Sequence, residues 1–255
     1  MNNNFSGKTA IITGGAGSIG VATAELFLQQ GINVVLVDID KNALHQARLK
    51  LLDKSQQVEI FTADVADEKQ TSAYVDFAVT KFGAIDILFS NAGNFGIVRN
   101  IEDYPLDVFQ SVLNVNVSGA FLAAKYTVSH MSRGGSIIIT SSVAGLTGDP
   151  GVYGYITAKH ALTGLMRVLA KELAPQGIRV NTVNPGPVNN QFQANVENDL
   201  SKILQRNATE FFDEIIPMGR HALPEEIAKS VYYLASDMSA FTTGITLSVD
   251  GGMSI

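Results

Sequence analysis

At 255 residues, 46% of them hydrophobic, the chain is long enough to bury one large core, and no linker-like stretch divides it. Cysteine is absent, which excludes disulfides, thiolate metal sites and a cysteine nucleophile and fits a reducing compartment. A formal charge of −6 with no Lys/Arg cluster argues against nucleic acid or an anionic membrane as a partner.

The first residues, MNNNFSGKTAIITGG, carry no leader pattern, and no segment offers about 18 uninterrupted apolar residues, so the expectation is a soluble cytoplasmic protein. Lys8 to Ile12 reads as a short buried strand running straight into Thr13, Gly14, Gly15, Ala16, Gly17, Ser18, Ile19 and Gly20, with a helix to about Gln30 behind them. Glycines between a strand and a helix let the backbone approach a pyrophosphate, whose charge the helix N-terminus stabilises. Gly31 ends that helix. A second apolar strand, Asn33 to Val37, finishes at Asp38, 18 residues beyond Gly20, where a ribose carboxylate is expected. Such a carboxylate accepts hydrogen bonds from an adenosine ribose, whereas a 2′-phosphate would bring like charges together at about 1 to 4 kcal/mol. No arginine stands in the turn and Ile39 follows the acid, so NAD is favoured over NADP, with Lys41 the one possible exception.

A helix near Lys41 to Leu52, a strand near Val58 to Thr62, a helix near Glu68 to Phe82 and a strand near Ile85 to Phe89 continue a βαβ series. Asp64 and Val65 follow the third strand, where the acid either meets an adenine amino group or caps a helix. Ser90, Asn91, Ala92 and Gly93 follow the fourth, small residues that suit either a cofactor passing close by or an ordinary turn. One long helix is expected over roughly Pro105 to His130, its apolar middle interrupted by Asn114 and Asn116. A buried asparagine needs partners, so Asn116 either ties a helix turn and a water in place or satisfies a neighbouring loop.

Ser136 to Thr140 has the β-branched, apolar character of a doubly buried parallel strand, which sets Ser142 at a carboxyl edge, where open α/β sheets bind ligands. After a loop marked by Gly148, Asp149, Pro150 and Gly151, a helix is expected from near Val152 to about Leu173. Tyr155 and Lys159 lie on it, and four residues rise about 6 Å and return to nearly the same face, so phenol and ammonium can share a pocket. A tyrosine has a pKa of about 10, and acid/base work near neutrality needs a downward shift of about 2 to 3 units, largely within reach of a close lysine. Tyr155 is thus a candidate general acid/base and Ser142 a hydrogen-bond donor to a substrate oxygen.

Gly177 supplies a stop, and Ile178 to Val183 reads as the next strand, ending at Asn184, Pro185 and Gly186. Gln191 to Pro217 is helical in character and rich in Asn, Gln and Phe, while Phe192, Phe211 and Phe212 either cover an apolar substrate or pack this segment onto the body. A further helix and a strand at Ile245 to Val249 close the chain. The histidines, His45, His130, His160 and His221, lack ligand spacing and read as surface or capping residues, so no metal is expected.

In their order and spacing these pieces resemble the short-chain dehydrogenase/reductase family, from about Ser6 to Met253. The resemblance implies one doubly wound α/β Rossmann domain over 1–255, with a seven-stranded parallel sheet, helices on both faces and a substrate lid at about 190–217. It implies NAD-dependent interconversion of a secondary alcohol and a ketone, with Ser142, Tyr155 and Lys159 as a catalytic triad and Asn116 completing a tetrad. The step from Ser142 to Tyr155 is the family's thirteen residues. Lys159 would also bind the nicotinamide ribose, and Asn116 would hold a water in the proton path. Thr13, Gly14, Gly17, Ser18, Ile19 and Gly20 would line the dinucleotide turn. Asp38 would meet the adenosine ribose, Asp64 and Val65 the adenine, and Asn91, Ala92 and Gly93 the cofactor's flank. Pro185, Gly186 and Val188 would face the nicotinamide, and a homotetramer is implied. Ser18 departs from the family's second glycine, with Gly17 beside it, and Asn189 and Asn190 stand where threonine is usual.

Two other readings are compatible with the chain. A 3-oxoacyl thioester reductase of the same family more often uses NADPH and needs basic docking residues, against which Asp38 and the acidic balance count. A non-catalytic nucleotide-binding protein has no need of Ser142, Tyr155, Lys159 and Asn116 together.

Overall fold

In the computed structural model, which describes residues 5–52 and 57–255, each strand expected from the sequence pairs into one parallel sheet. The strands are β1 (Thr9–Thr13), β2 (Asn33–Asp38), β3 (Val58–Thr62), β4 (Ile85–Ser90), β5 (Met131–Thr140), β6 (Arg179–Pro185) and β7 (Thr246–Val249). Their spatial order is β3-β2-β1-β4-β5-β6-β7, so the chain departs from β1 in both directions. The reversal between β1 and β4 opens a crevice at the strands' carboxyl ends. Thr13 is in register with both Val37 and Ser90, and Thr140 with Val183, which brings the loops after β1, β4, β5 and β6 to a common edge.

The period of two along each strand divides the core. Ile12, Leu36, Phe89 and Ile138 pack to one face, with Phe27, Leu44, Val231 and Leu234. Their neighbours Ile11, Val37, Leu88 and Ile139 pack to the other, with Tyr74, Ala123, Leu162 and Met166. Each such side chain, fully withdrawn from water, contributes about 1.5 to 3 kcal/mol, and burial on both faces is why these strands lack polar alternation. The helices covering the first face are α1 (Ser18–Gln29) and α2 (Lys41–Leu52), and α3 (Glu68–Phe82) lies on the second.

The long helix expected over 105–130 is instead three pieces: α4 (Leu106–Leu113), a π-helical segment (Asn114–Ser118) and α5 (Gly119–Thr127). The amide of Gly119 reaches back five residues to the carbonyl of Asn114. Asn116 supplies the reason, since its side-chain amide occupies the carbonyl of Val112 at 2.8 Å, a group that an unbroken α-helix would use for its own backbone ladder. The second face is completed by α6 (Tyr153–Leu173), which ends through a short 3-10 turn at Gly177, in the left-handed region at φ +76°. Beyond β6 the segment expected to be helical is two helices, α7 (Gln191–Leu204) and α8 (Ala208–Ile215), and α9 (Pro224–Ala235) returns to the first face. No helix among the described residues is long and apolar enough to cross a membrane.

Candidate active site

A cavity of about 970 Å³ lies along the carboxyl edge of the sheet. Its wall includes Gly14, Gly17, Ser18, Ile19 and Asp38 from the first βαβ unit, and Asn91, Ala92 and Gly93 from the loop after β4. Ser142, Tyr155 and Lys159 join them, as do Pro185, Gly186 and Val188 beyond β6. Residues spread over most of the chain therefore face one space. Side-chain hydrogen bonds staple three strand ends around it. Thr13 Oγ1 accepts from the amides of Asn91 and Ala92 at 3.0 and 3.2 Å, and Thr140 Oγ1 donates to Asn91 Oδ1 at 3.0 Å.

Lys159 is buried on α6, donates to the carbonyl of Thr140 at 2.9 Å, and holds its Nζ 5.2 Å from the centre of the Tyr155 ring. The helical spacing of the pair thus aims both groups into the crevice. Ser142 sits in extended backbone just past β5, where its Oγ accepts from the Ala144 amide at 3.2 Å and donates to the Pro185 carbonyl at 3.5 Å, on the same cavity wall as Tyr155. Asn184 pins the backbone there, its Nδ2 donating to the Ser142 carbonyl at 2.8 Å, and Ser141 Oγ donates to the Lys159 carbonyl at 2.9 Å.

Asn116 stands behind this group, off the cavity wall and buried. Its Nδ2 donates to the carbonyls of Val112 and Asn94, both at 2.8 Å, while its Oδ1 has no partner among the described residues. A Cβ placed on Gly93 would lie 2.9 Å from that oxygen and 3.6 Å from Lys159 Nζ, so the amide oxygen and the ammonium border one small space that only glycine leaves open.

The electrostatics of the free chain reverse one expectation. Burial pushes the Tyr155 phenol up to about 12, with the Ser142 hydroxyl pulling the other way. Burial also draws Lys159 down to about 7. A lysine titrating there is half neutral at pH 7, and only its charged form favours the phenolate. The proximity expected from the helix is present, but desolvation sets the direction of both shifts.

At the other end, α1 begins at Gly17 with no side-chain cap, leaving the first-turn amides free to meet an anion. Gly14 adopts φ +62°, and a Cβ on it would stand 2.9 Å from the backbone of Ala92. Asp38, half-buried at the end of β2, accepts from the amides of Ala16 and Asp40 at 3.1 and 3.2 Å. The exposed Asp40 adds a second carboxylate two residues on. An uncapped helix N-terminus, a glycine cradle and an acid at the adjacent strand end fit a dinucleotide.

Three more of the expected cofactor residues lie off the wall. Gly20 packs α1 against the carbonyl of Gly14, which a side chain would strike. The carboxylate of Asp64 accepts from the Ala66 amide at 2.9 Å, a local turn, while Asp67 caps α3. Val65 is buried against Gly119. Thr13, as described, also acts from behind the wall. Asn190, one of the departures from the family's threonine, caps α7 by accepting from the Gln193 amide at 2.8 Å.

The segment beyond β6 corrects the reading of His221 as a surface or capping residue. Its side chain is only 10% exposed, with Nε2 2.6 Å from Glu197 Oε1 on α7 and Nδ1 2.7 Å from Asp213 Oδ1 on α8. Gln193 and Thr209 also donate to Glu197, so one imidazole and one buried carboxylate fasten α7 to α8. Nothing in local sequence spacing signals a contact between residues 24 apart. Phe95 was likewise not singled out by sequence. Its ring centre lies 5.0 Å from that of Tyr155 and 6.4 Å from that of Phe192. Asp149, Val152, Phe211 and Phe212 line the cavity, whereas Tyr153 packs on Tyr104 with ring centres 5.6 Å apart.

A family model described as enoyl-(acyl carrier protein) reductase matches residues 14–254. Cyclohexanol dehydrogenase of Acinetobacter sp. (strain SE19) is 36% identical over 253 residues, covering 98% of this chain and 96% of that protein. A 3-oxoacyl-(acyl-carrier-protein) reductase of Thermotoga maritima is 37% identical over 256 residues, covering 98% of this chain and 99% of that one. Among solved structures, NAD+-bound xylitol dehydrogenase superposes with a TM-score of 0.93 at 34% identity, covering 97% of this chain and 99% of its counterpart.

Proposed function

Because the chain belongs to the short-chain dehydrogenase/reductase family and is an oxidoreductase of CH–OH groups, we propose that it interconverts a secondary alcohol and a ketone with NAD. On this reading the whole chain is a single dinucleotide-binding and catalytic domain that assembles as a homotetramer. One observation carries it: Ser142, Tyr155 and Lys159 meet on the same cavity wall as the glycine turn and Asp38.

In this mechanism Gly14, Gly17, Ser18 and Ile19 hold the pyrophosphate, Asp38 the adenosine ribose, and Pro185, Gly186 and Val188 the nicotinamide end. When bound, NAD supplies the carbon that takes or gives the hydride. Ser142 steadies the substrate oxygen by hydrogen bonding, and Tyr155 gives the hydroxyl proton in reduction or takes it in oxidation. In the free chain burial holds the phenol in its protonated form. Lys159, charged, lowers the phenol and binds ribose hydroxyls. Asn116, whose Oδ1 has no donor among the described residues, accepts from the water that passes the proton onward.

The preference for NAD rests on Asp38 and Asp40, two carboxylates near which a 2′-phosphate would be repelled. The Thermotoga relative favours a second reading, a 3-oxoacyl thioester reductase. A panel of alcohols and 3-oxoacyl thioesters, read by NADH and NADPH absorbance, separates the two. The expected outcome is turnover of alcohols with NAD, and loss of roughly 100-fold to 10,000-fold in kcat for Tyr155→Phe with nucleotide binding retained. Turnover of Tyr155→Phe within about threefold of the parent would remove the phenol from the mechanism.

A further inference from the structure

The substrate half of the cavity is specific about charge. Among the described residues, Lys159 is the one cation on its wall, and it is already spent on the Thr140 carbonyl and the face of Tyr155. The other charged side chains of the whole cavity are Asp38, at the nucleotide end, and Asp149, both acids. Polar groups of the lid are in part engaged with one another. Asn190 Oδ1 caps the Gln193 amide, Gln193 Nε2 donates to Glu197, and Gln191 Nε2 donates to Asn195.

Around the phenol the wall is instead aromatic and aliphatic. Phe95, Tyr155 and Phe192 form a three-ring cluster, with Phe95 and Phe192 at 84° and Tyr155 tilted at 45° and 42° to them. Phe192 is 42% exposed where it borders the open cavity, and Ile203 and Ile215 of the lid are in the same position at 53% and 41%. Apolar side chains left wet on a concave wall gain free energy when an apolar ligand covers them.

We infer that the substrate is an uncharged secondary alcohol or ketone with an apolar body, gripped beside the Tyr155 hydroxyl by Phe95 and Phe192. This rests on the reading of the site as a hydride-transfer centre and adds its substrate class. A carboxylate or phosphate brought there would lose its water without gaining a counter-ion, and a polyol would lose most of its hydrogen bonds. Phe192 is a specificity-determining residue that acts on binding.

The test uses three alcohols of similar size with NAD: cyclohexanol, 4-hydroxycyclohexanecarboxylate and xylitol. In parallel, calorimetry measures binding of cyclohexanone and 4-oxocyclohexanecarboxylate to the protein saturated with NADH. The expected kcat/KM for cyclohexanol exceeds that for either other alcohol by at least ~100-fold, from the unpaired buried charge or hydroxyls. Phe192→Ala raises the KM for cyclohexanol roughly tenfold with kcat within about threefold, and Phe192→Leu recovers most of the loss. Equal or better turnover of the carboxylate or of xylitol overturns the assignment, as does a KM for Phe192→Ala within about twofold of the parent. Turnover of none of the three counts against hydride transfer. The binding arm then decides the class by itself: preference for cyclohexanone upholds it, and no preference overturns it.

Discussion

Replacing Lys159 with methionine exchanges a buried ammonium for an apolar side chain of similar length, and its effect on stability depends on pH in a calculable way. Burial lowers the lysine from 10.5 to about 7 in the folded chain. Folded protein therefore binds fewer protons than unfolded chain between those values, and stability rises with pH across that window and is reduced in full below about 7. At pH 7 the folded lysine is half protonated, and at pH 9 it is almost wholly neutral, while the unfolded one stays protonated at both. Integrating about 1.4 kcal/mol per pH unit from that half-way point gives roughly 2 kcal/mol of added stability for the parent between pH 7 and 9. The variant lacks this gain. Loss of the hydrogen bond to the Thr140 carbonyl costs about 1 kcal/mol but is the same at both pH values, so it cancels in the comparison. Tyr155, held up to about 12, does not titrate in this range in the folded chain. Urea unfolding without nucleotide, followed by circular dichroism at one fixed protein concentration, checks the figure. Relative to the parent, Lys159→Met should be more favourable at pH 7 than at pH 9 by about 2 kcal/mol, while its turnover is lost. A difference between the two proteins that stayed constant within about 0.5 kcal/mol would mean that the ammonium is hydrated in solution, and the argument from burial would fail.

Other perturbations test the remaining parts of the site. Asp38→Ser should weaken NAD and strengthen NADP, moving the ratio of their kcat/KM values by roughly 10-fold to 100-fold toward NADP, as steady-state kinetics would report. His221→Ala leaves the buried Glu197 without its imidazole and should lower stability by about 3 kcal/mol, read as a fall in Tm of several degrees in a thermal melt. An unchanged Tm would show that α7 and α8 are fastened elsewhere. Gly93→Ala drives a methyl group against the free oxygen of Asn116 and toward Lys159. Turnover should fall roughly tenfold or more with the overall fold retained, measured by kinetics alongside circular dichroism.

Local patterns were enough for the frame. Continuous apolar runs such as Ile85 to Phe89 mark strands buried on two faces, and the order of strand, glycine turn, helix and acid marks the nucleotide edge without reference to any distant residue. The four-residue step from Tyr155 to Lys159 likewise needs only helix geometry to aim both groups alike. Boundaries drifted by a residue or a few, as at β5, which begins at Met131 because that residue pairs with Ile85 across a register shift. Asn116 was legible as a buried asparagine that ties a helix turn or a neighbouring loop, and its amide reaches both, at the carbonyls of Val112 and Asn94, whereas the break this makes in the helix was not legible.

What the amino-acid order determined by itself is everything that depends on near neighbours: the alternation of elements, the glycine turn, the acid after β2, the hydroxyl at a strand's end and the phenol one turn from an amine. Only the tertiary structure decided the clasp of His221 on Glu197 and Asp213, the stacking of Phe95 with Tyr155 and Phe192, and the direction in which Tyr155 and Lys159 titrate. The physical reason is one of range. Periodicity and caps act over a few residues, whereas desolvation and side-chain contact are sums over every segment that happens to close around a group, and no stretch of sequence contains that sum.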